Sequence, residues 1–325
     1  MIARRLIGGT CLCLAATFVA YALASWSFDP LADLETRQPR PPQAVIDAQA
    51  HRLGLHLPIH ERFLHWLSGL PTGDLGVTVA NQPVSEELWR RAGTSMRLYL
   101  FGAAVAVVAG VVLGVRGAMS RRRGADQFSL LWTLVLIAIP TFVLGTLLKI
   151  LWLPVNTMTG QQILYFSGEQ TVGADLSGGA ALVDRLQHLV LPTICIALPQ
   201  LAFFARYQRA AALDVLGSEF IRTARAKGLS DRRAFWRHGL RSALVPVISL
   251  FAFSFGIHLA GGVFTERVFG WHGLGDWVLT AIHDHDATVV AAVTLFFAVL
   301  VVLAGLTSDV VVSRLDPRVR IRGVR

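Results

Sequence analysis

Six apolar runs, each close to the length of a bilayer crossing, constrain this chain more than any other feature. They cover residues 6–27, 98–119, 128–151, 189–204, 245–264 and 287–312. A helix rises 1.5 Å per residue, so ~20 apolar residues cross the ~30 Å hydrocarbon layer. Backbone polar groups in lipid must be satisfied internally, and the alternation of a lipid-embedded strand is absent, so the runs read as helices. The expected fold class is all-α: a polytopic membrane protein with six transmembrane helices. The fourth run is short unless it extends toward Arg206. The first, behind Arg4 and Arg5, has the length of a span and lacks a small-residue cleavage site, so it reads as an uncleaved helix.

Composition agrees. Charged residues make up 16% of the chain, against roughly 25% in soluble domains, and the mean hydropathy is +0.54. The net charge of +9 could suggest nucleic acid, but the basic residues sit at the ends of apolar runs without aromatic interleaving, so no nucleic-acid partner is expected. Cys11, Cys13 and Cys195 all lie inside apolar runs, where a thiol is a small hydrophobe and implies no disulfide framework.

Orientation follows from the basic residues. Arg4 and Arg5, Arg116 with Arg121, Arg122 and Arg123, nine residues from Arg206 to Arg241, and the tail of Arg314, Arg318, Arg320, Arg322 and Arg325 alternate onto one face. Together they hold 20 of the 30 basic residues. By the positive-inside rule that face is cytoplasmic, with both termini inside a cell membrane. The division expected is a first helix and outer loop over 1–97, a transmembrane core over 98–312 and a basic tail over 313–325. Within the outer loop, Ala44 to Leu53 and His60 to Leu70 have helical character, Phe63, Leu64 and Leu67 sharing helix spacing; an amphipathic pair on the membrane surface is expected. Gly73-Asp74-Leu75-Gly76 reads as a turn.

The inner loop between the fourth and fifth runs carries the functional signal. A short helix over about 218–230 can start at Gly217 or Ser218. Ala224 and Gly228, four apart, present two small residues on one face, and Gly228 permits a positive φ and a sharp end. Ser230-Asp231 opens a second short helix, with Phe235 and Trp236 turned to the membrane or bundle. By residue pattern alone two readings stand: a loop whose arginines only hold topology, or a surface that docks a soluble partner.

Thr223-Ala224-Arg225-Ala226-Lys227-Gly228-Leu229, followed by Arg237-His238-Gly239-Leu240-Arg241 and Val245-Pro246-Val247-Ile248, resembles the cytoplasmic signature of binding-protein-dependent ABC transporter permeases. The resemblance is to the dipeptide, oligopeptide and nickel branch in its first-permease form. Further pieces agree in order: Gly73-Asp74-Leu75-Gly76 with Pro83-Val84-Ser85, Ile139-Pro140-Thr141-Phe142, Trp152-Leu153-Pro154, Leu191-Pro192, Phe264-Thr265-Glu266-Arg267-Val268-Phe269 with Gly273-Leu274-Gly275, and Leu315-Asp316-Pro317-Arg318-Val319-Arg320. The broad family's Glu-Ala-Ala is replaced here by Thr223-Ala224-Arg225, as is usual in the peptide branch. The resemblance implies a type I importer permease fold and an ATPase-coupling helix comprising Glu219, Arg222, Thr223, Ala224, Arg225, Ala226, Lys227, Gly228 and Leu229. It also implies a homologous second permease, two ATPase subunits, an extracytoplasmic binding protein and a peptide substrate, with nickel or another small solute as the alternative. The chain lacks a phosphate-binding Gly-rich loop, so ATP and Mg²⁺ are expected on the ATPase partners, with no cofactor bound by this chain.

Pro140, Thr141, Phe142, Pro192 and Gly256 are candidate pathway or gating residues, since a proline kink frees a carbonyl and can line a route. Gly114, Gly145, Gly256, Gly261 and Gly262 read as helix-packing positions. Nine of the ten histidines fall in the outer half, and His283-Asp284-His285-Asp286 has ligand types suited to a divalent ion. Sequence neighbours fan outward, however, and no metal site is expected. Lys149 is placed near the outer end of the third span and Asp309 near the inner end of the sixth. No acid marks a span centre, which argues against a self-contained secondary carrier.

Overall fold

The computed structural model describes residues 2–120 and 132–315. The start of the predicted third span, the loop arginines Arg121 to Arg123, the tail arginines from Arg318 and the Leu315-to-Arg320 motif beyond Leu315 lie outside the described residues. Thirteen named helices make up the described fold: α1 Ile2–Ser27, α2 Ala32–Thr36, α3 Gln43–Arg52, α4 Ile59–Gly69, α5 Val84–Met119, α6 Thr141–Thr159, α7 Gly178–Leu216, α8 Glu219–Ala226, α9 Asp231–Ala234, α10 Leu240–Gly261, α11 Val263–Phe269, α12 Leu274–His283 and α13 Ala287–Leu315. A further helical stretch covers 132–138. Six helices are long and apolar enough to cross a membrane, as the sequence predicts, and the only pairing of extended chain among the described residues is a single bridge between Val77 and Pro83.

The third span departs from expectation. It is interrupted at Ile139-Pro140 and restarts as α6, which runs to Thr159 and stops at Gly160 with φ +64°. Proline lacks an amide hydrogen and disfavours helix at the preceding residue, so Pro140 starts the helix instead of kinking it. Two sequence assignments shift with it. Trp152-Leu153-Pro154 lies inside α6, and Lys149 is the ninth of its 19 residues instead of a residue at its end. Lys149 donates to the Val268 carbonyl and sits 5.0 Å from the centre of the Phe269 ring. A mid-span cation is therefore present, held by a carbonyl and an aromatic face. The fourth run extends into the 39-residue α7, about 58 Å long and well beyond one hydrocarbon layer. Pro246 lies inside α10 and does not open it.

The helices gather into two compact units. One comprises Met1–Ser95 with His272–Val302; the other comprises Met96–Trp271 with Leu303–Arg325. In the first, α3 and α4 form where predicted, started by Pro42 and Pro58. The apolar face of α4 packs on protein: Phe63 and Trp66 are buried with Tyr21 and Ala24 of α1, and Phe18 meets Phe63 edge-on at 5.1 Å. Leu64, expected on that face, is 58% exposed. The predicted turn forms, with Gly73 and Gly76 at φ +80° and +82°. Its closure uses Ser85, whose hydroxyl donates to the Gly73 carbonyl (2.7 Å) and accepts from the Leu75 amide (3.1 Å).

Asp286 organises the same unit. Its carboxylate accepts from the Val79 amide at 2.8 Å and from the Val289 amide at 3.1 Å, joining the 77–83 turn to the first turn of α13. Burial pushes this carboxyl above its ordinary value, against the opposing pull of those amides. His285 Nδ1 lies 2.8 Å from the Asp29 carbonyl, and its ring stacks on Phe28. These side chains are thus engaged in structural contacts. Asp286→Ala should cost about 2 kcal/mol, the upper range for a lost cap, read as a lowered midpoint of detergent-solubilised thermal unfolding; Asp286→Asn, which keeps one acceptor, should lose less.

In the second unit, small residues let two long helices touch. Gly102, Ala106, Gly110 and Gly114 recur every fourth residue on one face of α5, and that face lies on α7. A Cβ at Gly110 would stand 2.7 Å from Phe204 Cβ, and one at Gly114 would stand 2.6 Å from the Ala205 carbonyl oxygen. The sequence picks out Gly114 alone; the repeat of four is the signal that exposes the whole seam. Gly262 likewise lies against the Tyr99 phenol, with no room for a Cβ.

Candidate functional site

The loop after α7 folds as a compact hook. Ser218 takes the extended N-cap conformation, but its hydroxyl turns back to the Val215 carbonyl (2.6 Å) instead of capping α8. Arg222 and Glu219 pair at 2.7 Å on the exposed side, where such a pair contributes little. The helix ends in a Schellman turn: Gly228 N–H donates to the Arg225 carbonyl at 2.9 Å, Leu229 N–H to the Ala224 carbonyl at 3.3 Å, and Gly228 has φ +89°. That geometry is the sharp end expected at Gly228.

Side-chain direction divides the predicted coupling residues. Ile221 and Ala224 are buried with Ala234, against Val215 and Leu229. Ala224 therefore helps anchor the helix and does not share an open face with Gly228, a correction to the small-residue surface read from spacing. Glu219, Arg222, Thr223, Arg225, Ala226, Lys227 and Gly228 all face outward, and Leu229 is half-buried. Phe220, absent from the sequence-based set, is 45% exposed among them. A bare aromatic ring on an otherwise polar helix is the signal that marks it.

Two further contacts hold the hook. Arg225 Nε lies 2.8 Å from the Asp231 carboxylate, across the turn. Ser230 caps α9 by accepting from Arg233 N–H at 3.4 Å, as its position in the sequence suggests. Residues Phe235–Gly239 then form a π turn, burying Phe235 and Gly239 and leaving Trp236 half-exposed. Phe235 thus points inward, and Trp236 outward.

The candidate pathway residues do not form one cluster. Phe142 is exposed and lies 6.1 Å from Phe264, also exposed. Pro140 is exposed, and Thr141 accepts at its carbonyl from the Cys195 thiol at 3.2 Å. Pro192 and Gly256 are buried in helix packing. Glu266 is buried to 1% exposure although it reads as part of an outer segment.

Six candidate spans in an all-α fold, with a short helix hooked between two of them and held by a Schellman turn, define the class as a polytopic membrane protein. Residues 106–321 match the family described as the binding-protein-dependent transport system inner membrane component. The chain belongs to that family. It is 48% identical over 322 residues to the Oligopeptide transport system permease protein OppB of Mycobacterium tuberculosis, covering 98% of both chains. It is 32% identical over 283 residues to the Glutathione transport system permease protein GsiC of Escherichia coli K12, covering 85% of this chain and 84% of the other. A chain of the MetNI methionine ABC transporter in an inward facing conformation shares the fold at a TM-score of 0.51 and 19% identity, covering 70% of this chain and 96% of that one.

Proposed function

We propose that this protein is a permease subunit of an ATP-driven importer of oligopeptides. The observation that carries the reading is its 48% identity, over 98% of both chains, to an oligopeptide transport system permease. The glutathione transport relative, whose named solute is itself a short peptide, points the same way. In this reading both termini are cytoplasmic, and a homologous second permease supplies the other half of the pathway. An extracytoplasmic binding protein delivers peptide. Two ATPase subunits bind ATP and Mg²⁺, and one of them docks on the outward residues of α8, with Phe220 as the apolar anchor. Ile221 and Ala224 transmit their movement, because they root α8 in the cluster shared with Val215 at the end of α7. A ligand-driven shift needs a surface that differs between two states, and a rigid hook rooted in a long helix supplies one. The exposed Phe142 and Phe264 pair favours a place beside the solute route.

The test is uptake of labelled tri- to pentapeptides into proteoliposomes holding both permeases, both ATPases and the binding protein. Import that requires ATP and every component is expected. Import of Ni²⁺ complexes with no peptide import would overturn the substrate, and gradient-driven uptake by this chain alone would overturn the class.

A further inference from the structure

A groove of about 1120 Å³ runs along the C-terminal half of α5. Val107, Val108, Val111, Val112 and Val115 line it at helical spacing, joined by Leu240 and Leu244 of α10. The eight steps from 107 to 115 advance about 12 Å, close to one leaflet of the ~30 Å hydrocarbon layer. Val108 is 65% and Val112 38% exposed, Val107 and Val111 are half-buried, and Val115, next to Arg116, is buried, so the outward valines of the stripe are uncovered among the described residues.

The polar lining has the opposite character. Arg225 and Asp231 pair with each other at 2.8 Å. Arg116, one residue beyond the valine stripe, and Arg232 of α9 are exposed, with no hydrogen bond or ion pair among the described residues. Trp236 stands with them, half-exposed, and it and Arg232 also line an adjoining hollow with Arg233 and Arg237. The groove thus combines an apolar stripe of leaflet depth, an indole and two guanidinium groups unpaired among the described residues. A soluble partner has no use for the valines, and a neutral lipid has no use for the arginines.

We propose that this groove holds an anionic phospholipid of the cytoplasmic leaflet. An acyl chain lies along the valine stripe, the phosphate sits between Arg116 and Arg232, and Trp236 marks the boundary between headgroup and hydrocarbon. Guanidinium groups bind phosphate through paired N–H donors, and indoles favour that boundary. The lipid would fasten α5 to α9, next to the hook of α8. The assignment rests on the reading that this face is cytoplasmic.

Native mass spectrometry of the complete transporter, purified in detergent and incubated with equal amounts of phosphatidylglycerol and phosphatidylcholine, tests it. Selective, several-fold greater retention of phosphatidylglycerol is expected. Arg116→Gln with Arg232→Gln should reduce it to the phosphatidylcholine level, while Arg185→Gln, remote from the groove in sequence and lining, should not. Equal retention of the two lipids, or undiminished phosphatidylglycerol on the double variant, overturns the proposal. So does displacement of the lipid by inorganic phosphate alone, or efficient cross-linking of Val112→Cys to the second permease. Retention is measured without peptide or ATP, so a failure of peptide import leaves this result independent.

Discussion

Gly228→Glu is expected to yield a folded, membrane-inserted chain that no longer supports ATP-driven import. The residue closes the Schellman turn at φ +89°, and a Cβ there would meet nothing within 4 Å. A non-glycine residue in this region costs about 1–2 kcal/mol, which should leave the hook folded. The larger effect falls on docking, where an unpaired carboxylate must be desolvated against the partner at a cost of several kcal/mol at most. Gly228→Asn, neutral and better suited to positive φ, should retain most activity. Substrate-stimulated ATP hydrolysis and peptide uptake in the reconstituted transporter are the readouts. Parental uptake by a normally inserted Gly228→Glu chain would remove α8 from the ATPase contact.

The second large effect is structural. Gly114→Ala should reduce the stability of the α5–α7 pair by about 3 kcal/mol, the upper end of overpacking penalties. The added methyl would meet a backbone carbonyl at 2.6 Å and Gln208 Cβ at 2.7 Å, neither of which moves without shifting α7. Lipid offers no hydrophobic drive to hold two helices together, so lost contact is not recovered elsewhere. Gly117→Ala is the control, because its nearest neighbour, at 3.2 Å, is the flexible side chain of Arg209. Thermal unfolding in detergent should separate the two variants, and equal midpoints would show that the seam is not close-packed.

Much of the site was legible before its geometry. The positive φ at Gly228 follows from the residue type and its place after a short amphipathic run. The cap at Ser230 follows from Ser-Asp before a helix. Both depend on backbone preferences within a few residues, which the local sequence contains. Phe220 lies outside the signature residues, and an exposed aromatic is marked only by the placement of its neighbours. The same holds for Ala224. Spacing puts it on the side of Gly228, but Ala224 packs with Ile221 and Ala234 against Val215 and Leu229, while Gly228 stays exposed.

The sequence by itself determined six spans, an all-helical fold, the placement of the helices α3 and α4 and the sharp end of α8. Each follows from hydropathy over a run or from φ and ψ limits at single residues. Only the tertiary structure decided how each helix is rotated and what covers it. It put Lys149 at mid-helix beneath the Val268 carbonyl and turned Phe63 and Trp66 onto α1. It also made Asp286 the tie between two segments far apart in the chain. Helical periodicity names a face but not its partner, because that choice is made by contacts between residues many positions apart, where volume and unsatisfied backbone groups must match at once.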